Sequence, residues 1–182
     1  MMTHIGVFLS SYTDLPQAYL QAADDVARWI GSTGRTLVYG GSRCGLMERL
    51  AAGVHAHGGK VMGIVPQILV EKDLVSTHLD YTLYTADLND RKAALLRESD
   101  ILIALPGGIG TLDEVFTALS AESIGLRSPH VVLYNADGCW DSLIALLDEL
   151  YAKGLTSGTA RQLVSVVDSI DGLTAVVEGR KQ

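Results

Sequence analysis

Short apolar runs rich in β-branched residues recur along this chain, and helix-length stretches with apolar residues three and four apart separate most of them. The runs are "HIGVFLS" (4–10), "TLVYG" (36–40), "KVMGIV" (60–65), "YTLYTA" (81–86), "DILIAL" (100–105), "HVVLYN" (130–135) and "LVSVVD" (163–168). Between them lie "AYLQAADDVARWIGS", "GLMERLAAGVHAHG", "NDRKAALLRESD", "TLDEVFTALSAESIG" and "WDSLIALLDELYAKG". Near-continuous apolar strands must be covered on both sides, and a helix between successive strands makes them parallel. The pattern predicts an α/β protein with a Rossmann-like, doubly wound, mostly parallel sheet and helices on both faces. Such sheets bind ligands beyond the carboxyl ends of the strands, where strand order reverses.

The 182 residues, 48% of them hydrophobic, suffice for one sizeable core and are few for two. No Ser/Pro-rich linker, charge block or internal repeat interrupts them, so residues 1–182 read as a single domain. The N-terminus "MMTHIGVFLSSYTDLP" lacks the basic start of a secretory signal, and no uncharged apolar run approaches the roughly 18 residues of a membrane span. Two cysteines make no disulfide framework. A cytoplasmic protein is expected. The net charge of −7 argues against partners that need a basic face, nucleic acid and membrane surfaces among them. An anionic ligand would have to be held locally.

Two glycine turns offer that local hold. "ALPGGIGTLDEVF" (104–116) joins an apparent buried strand to a helix, and its three glycines let backbone approach a ligand. Free N–H groups at the helix start favour an anion. A ligand-free turn is the competing reading, although one glycine would serve for it. "YGGSRCGLME" (39–48), with Gly40, Gly41 and Ser42, repeats the design. Neither loop is a P-loop, because no Gly-Lys-Ser/Thr follows. Nor is either a dinucleotide fingerprint, which belongs on the first strand; here that strand ends in "FLSSY". A mononucleotide fits better than a dinucleotide.

Glu114 stands one turn into the helix after the first loop. Thr111 with Glu114 three residues later is the spacing of a capping box, so a structural cap and a chemical role are both open. In "LNDRKAALLRESD", Arg91 and Lys92 sit near a helix start, where the dipole disfavours cations. Such a pair suggests an anionic partner, against two solvated basic side chains. His55 and His57 do not share a helix face, and no His or Cys shows metal-ligand spacing.

These residues resemble a known family. "PGGIGTLDE" looks like the P-G-G-x-G-T-x-x-E signature of the LOG (Lonely Guy) proteins, cytokinin riboside 5′-monophosphate phosphoribohydrolases, and "GGSRCGLM" and "RK" fall where that family's other motifs lie. The similarity runs from about Ile5 to Val167. Members have often been labelled lysine decarboxylases, a label for which the chain shows no pyridoxal-phosphate logic. The resemblance implies a homodimer or larger assembly that hydrolyses the N-glycosidic bond of a nucleoside 5′-monophosphate, with no cofactor and no metal. Phosphate and ribose would lie against Gly107, Gly108, Ile109, Gly110 and Thr111. Arg91 and Glu114 would be the catalytic pair, with Lys92 beside them and Asp113 and Ser120 lining the substrate site. Small residues at Thr117, Ala118, Ser120, Ala121 and Ser123 would permit close helix approach in the dimer.

The chain departs from the family pattern at several places. Leu88-Asn89 replaces Met-His before the Arg-Lys pair, Glu48 replaces a glycine, and Leu9-Ser10-Ser11 replaces Gly-Ser-Ser. Ala121 and Ser123 stand where a tryptophan and a glutamine are usual. The alternative implied by related Rossmann-like proteins is a non-catalytic nucleotide or molybdenum-cofactor carrier. A carrier needs the loops but not the acid.

On this reading the phosphate is anchored at the helix N-terminus and Glu114 faces the ribose, where bond breaking builds an oxocarbenium-like cation. Arg91, always protonated, would stabilise phosphate or leaving base and keep Glu114 ionised.

Overall fold

The computed structural model describes residues 3–180; Met1 and Met2, the start of the stretch read above for a signal, lie outside them. Among the described residues, seven strands form one sheet: β1 (His4–Phe8), β2 (Thr36–Tyr39), β3 (Lys60–Pro66), β4 (Tyr81–Thr85), β5 (Ile101–Ala104), β6 (His130–Tyr134) and β7 (Ser165–Val167). Their order is β4-β3-β2-β1-β5-β6-β7, and every pairing is parallel. The chain therefore grows outward from β1 in one direction, then returns to its other side at β5. The switch point lies between these two strands, as a doubly wound sheet requires.

Among the described residues, eight α-helices complete the fold: α1 (Gln17–Ser32), α2 (Gly45–Ala56), α3 (Gln67–Glu71), α4 (Leu88–Glu98), α5 (Ile109–Ser123), α6 (Asp141–Ala152), α7 (Ala160–Leu163) and α8 (Ile170–Gly179). Because side chains alternate across a strand, the sheet feeds two cores. Ile5, Val7, Leu37, Ile101 and Ile103 pack under α1, α2 and α8. Phe8, Val38, Ile64, Leu102 and Ala104 pack under α4, α5 and α6. Most strand residues are almost fully buried, which explains the missing polar alternation.

Two strands differ from the expectation. β4 is one edge of the sheet and leaves Tyr81 and Tyr84 exposed. The run at 163–168 shortens to the three residues of β7, because α7 takes Leu163. No helix of the described residues is long and apolar enough to cross a membrane.

Candidate active site

Three loops meet at the switch point: those following β1, β2 and β5. The first and third are tied together, for Ser10 N–H donates to the Pro106 carbonyl at 3.1 Å and Leu105 N–H to that of Phe8 at 2.9 Å. The two glycine loops do not adjoin each other in the sheet, since β1 and its serine-bearing loop run between them. Together they floor a cleft of about 550 Å³, within the roughly 300–1,000 Å³ of small-molecule sites.

The first glycine loop opens into α5. Gly108 occupies the N-cap position, with Ile109 the first helical residue, and no side chain caps this end. Thr111 is thus the third helical residue rather than the cap. The capping-box reading of Thr111 and Glu114 is corrected accordingly: the helix begins three residues earlier than that pattern needs, so Glu114 lies in the second turn. A Cβ on Gly108 or Gly110 would meet nothing within 4 Å, so the backbone here faces open space. Gly107 serves differently. A Cβ there would fall 2.1 Å from the Thr111 Oγ1, so this glycine makes room for the buried threonine side chain.

Arg91 reaches the cleft from α4. Asp87 caps that helix by accepting from the N–H groups of Asn89 and Asp90 at 2.8 and 2.9 Å. The cap fixes where the helix begins, and Arg91 falls one turn in. Its Nε donates to the Ile64 carbonyl at 3.3 Å, and its Nη1 lies 3.5 Å from Glu114 Oε1. Both side chains are mostly buried, 16% and 13% exposed respectively.

Burial pushes the Glu114 carboxyl up to about 7 from an ordinary 4.5. Arg91 pulls it back, Asp113 adds to the rise, and Lys92 lowers it slightly. Arg91 acts in the expected direction, favouring the ionised carboxylate, but loss of hydration outweighs the guanidinium. A carboxyl poised near neutrality can both take and give a proton.

Of the residues singled out from the sequence, Gly40, Ser42, Arg91, Gly108, Ile109, Gly110, Thr111 and Glu114 line one cleft. Lys92, Asp113, Gly41, Gly107 and Ser120 do not. Lys92 follows Arg91 on the helix and points elsewhere, its Nζ 3.0 Å from both Asp113 carboxylate oxygens. That pair ties α4 to α5 outside the cleft. Asp113 and Ser120 lie on the exposed outer side of α5.

Sequence reasoning left out several lining residues: Ser10, Ser11 and Tyr12 after β1, and Ile68 and Leu69 from α3. The serine pair at the end of the first strand was the available signal. The five residues of α3 are too few to show a helical period. Glu48, the departure in the second loop, turns away from the cleft and meets His78 Nδ1 at 3.0 Å.

Fold and cleft define a Rossmann-like α/β protein whose candidate site opens at the switch point and carries one acid–guanidinium pair. A family model described as "Possible lysine decarboxylase" matches residues 47–177. The cytokinin riboside 5′-monophosphate phosphoribohydrolase LOG3 of Arabidopsis thaliana is 36% identical over 160 residues, covering 88% of this chain and 74% of that protein. LOG5 of the same plant is 33% identical over 177 residues, 97% of this chain and 78% of its own. The chain belongs to this LOG family. Among solved structures, the molybdenum cofactor binding protein of Rippkaea orientalis superposes with a TM-score of 0.73 at 26% identity, covering 98% of this chain and 97% of that one. The molybdenum cofactor carrier protein of Chlamydomonas reinhardtii gives 0.71 at 24%, covering 98% of each chain, a likeness of fold alone.

Proposed function

We propose that the protein hydrolyses the N-glycosidic bond of a nucleoside 5′-monophosphate, of the AMP or cytokinin riboside monophosphate type, to free base and ribose 5-phosphate. The observation that carries this reading is the Arg91–Glu114 pair in a cleft floored by an open helix N-terminus. The family membership and the relatives' names support it.

In the proposed reaction the phosphate sits on the free N–H groups of α5 at Gly108, Ile109 and Gly110, where the helix dipole favours negative charge. Glu114 lies one turn further along and faces the ribose. The C1′–N bond breaks with its electron pair going to the base nitrogen, leaving positive charge on the sugar. The Glu114 carboxylate stabilises that charge and takes a proton from the water that bonds to C1′. The proton taken up by Glu114 then passes to the base nitrogen, which restores the carboxylate. Arg91 offers its fixed positive charge to the anionic phosphate or the departing base.

The protein also functions, on this proposal, as a homodimer or larger. Ile109, Asp113, Phe116, Ser120 and Ser123 fall on one exposed face of α5, and Ile109 and Phe116 are apolar. Such a face is suited to a second copy of the chain. Ala118, expected from sequence at that contact, is instead buried in the protein's own core.

A nucleotide or molybdenum-cofactor carrier is the second reading, favoured by the Rippkaea orientalis likeness. Incubating the protein with a panel of nucleoside monophosphates and measuring ribose 5-phosphate separates the two, because a carrier releases none.

A further inference from the structure

The second glycine loop has the composition of an anion cradle but a different geometry. At the start of α2, a Cβ on Gly45 would lie 2.3 Å from the carbonyl oxygens of both Ser11 and Tyr12. Carbonyl oxygens therefore crowd the Gly45 α-carbon and leave no room for a side chain there.

Gly40 is occupied from another direction. A Cβ there would fall 1.6 Å from Arg91 Nη2, 2.7 Å from its Cζ and 2.8 Å from Met47 Cε. The backbone at Gly40 is not among the positive-φ glycines, so nothing in its dihedral angles demands glycine. What is used is the missing side chain. The guanidinium lying over it is held by β3 through the Ile64 carbonyl and reaches Glu114 on α5 with its other end.

We propose that Gly40 is a positioning residue whose absent side chain forms the slot that holds the Arg91 guanidinium against Glu114. The link to turnover rests on the phosphoribohydrolase reading; the slot itself does not. The second loop then shapes the site through Gly40, and the charge beside Glu114 is preorganised before any ligand arrives. Gly40 does its work through Arg91.

The test follows the Glu114 carboxyl by carbon NMR titration in ligand-free protein, alongside ribose 5-phosphate release. Wild type, Gly40→Ala, Arg91→Ala and the double variant are compared. Gly40→Ala displaces the guanidinium that lowers the Glu114 titration, so its midpoint moves upward and turnover falls roughly tenfold or more, the scale of a misplaced catalytic group. Adding Gly40→Ala to Arg91→Ala changes neither quantity further. Should Gly40→Ala alone lose its cooperative melt, the double variant regains it, because the guanidinium is gone and the remaining neighbour, Met47 Cε, is the end of a flexible side chain that can turn aside. An unchanged Glu114 midpoint in Gly40→Ala overturns the proposal. So does a double variant that stays unfolded, or one that loses as much additional turnover as wild type does, which would mark direct contact with substrate. If wild type releases no ribose 5-phosphate from any monophosphate, the phosphoribohydrolase reading falls while the titration still decides the slot.

Discussion

Arg91 and Glu114 stand on different helices, α4 and α5, and their charged groups meet 3.5 Å apart over the carboxyl ends of the strands. That separation is longer than a hydrogen bond, so the pair is electrostatic and leaves Glu114 open to a ligand. The two helices are braced on their outer side by the Lys92–Asp113 contact. Adjacent residues of α4 thus divide the work, Arg91 facing the cleft and Lys92 holding the helices together.

The first prediction concerns pH and activity. The proposed reaction needs Glu114 ionised, and burial holds its carboxyl near 7. For the wild type, kcat/KM should fall as pH drops through about 7, with a plateau above. In Arg91→Ala the lowering influence is gone, so the residual activity should show its acid limb at higher pH. A limb near pH 4.5 in both proteins would contradict the assigned role.

The same carboxyl makes a stability prediction. Its folded pKa lies above the ordinary value of 4.5, so ionisation is harder in the folded state. The cost is absent below about pH 4.5, grows as pH rises towards 7 and then stays constant. Glu114→Gln removes it, by about 3 kcal/mol as an upper scale. The variant should melt higher than wild type at pH 8 and show no such gain at pH 4. Equal or lower melting temperatures at pH 8 would mean that the carboxylate is structurally satisfied.

Much of this arrangement was legible in the sequence. Buried parallel strands lack polar alternation, and the helix periods between them are long, so the doubly wound sheet followed from pattern. The cap, one of two readings left open at Thr111 and Glu114, fails for a physical reason. Gly108 and Gly110 are weak helix formers, yet the loop between Pro106 and Thr111 winds into the first turn, moving the helix start forward. The role of Gly40 was hidden for a different reason. Both glycine loops look alike locally, and what fills the space at Gly40 is a side chain from a helix far along the chain. Long-range packing of that kind leaves no periodic trace.

Binding should depend on the 5′-phosphate. The N–H groups at the start of α5 offer donors that a nucleoside leaves unpaired, a loss on the order of 3 kcal/mol or more. Competition measurements should find AMP bound at least a hundredfold more tightly than adenosine. Equal affinities would remove the phosphate from α5.

The exposed face of α5 predicts an assembly. Light scattering at micromolar concentration should give at least twice the 19.4 kDa chain mass. Phe116→Glu, placing charge on that face, should shift the population towards monomer. A wild-type protein that is a stable monomer would contradict it.

Release of ribose 5-phosphate by wild type and Glu114→Gln, across a panel of nucleoside 5′-monophosphates at pH 8, decides whether the Glu114 charge acts on the sugar. Glutamine keeps the shape of the side chain but cannot carry the negative charge that a developing ribose cation requires. Wild type should release base and ribose 5-phosphate from at least one monophosphate, and the variant should be slower by roughly a hundredfold or more while still binding nucleotide. A variant that hydrolyses at nearly the wild-type rate, or a wild type that releases nothing, would contradict the account.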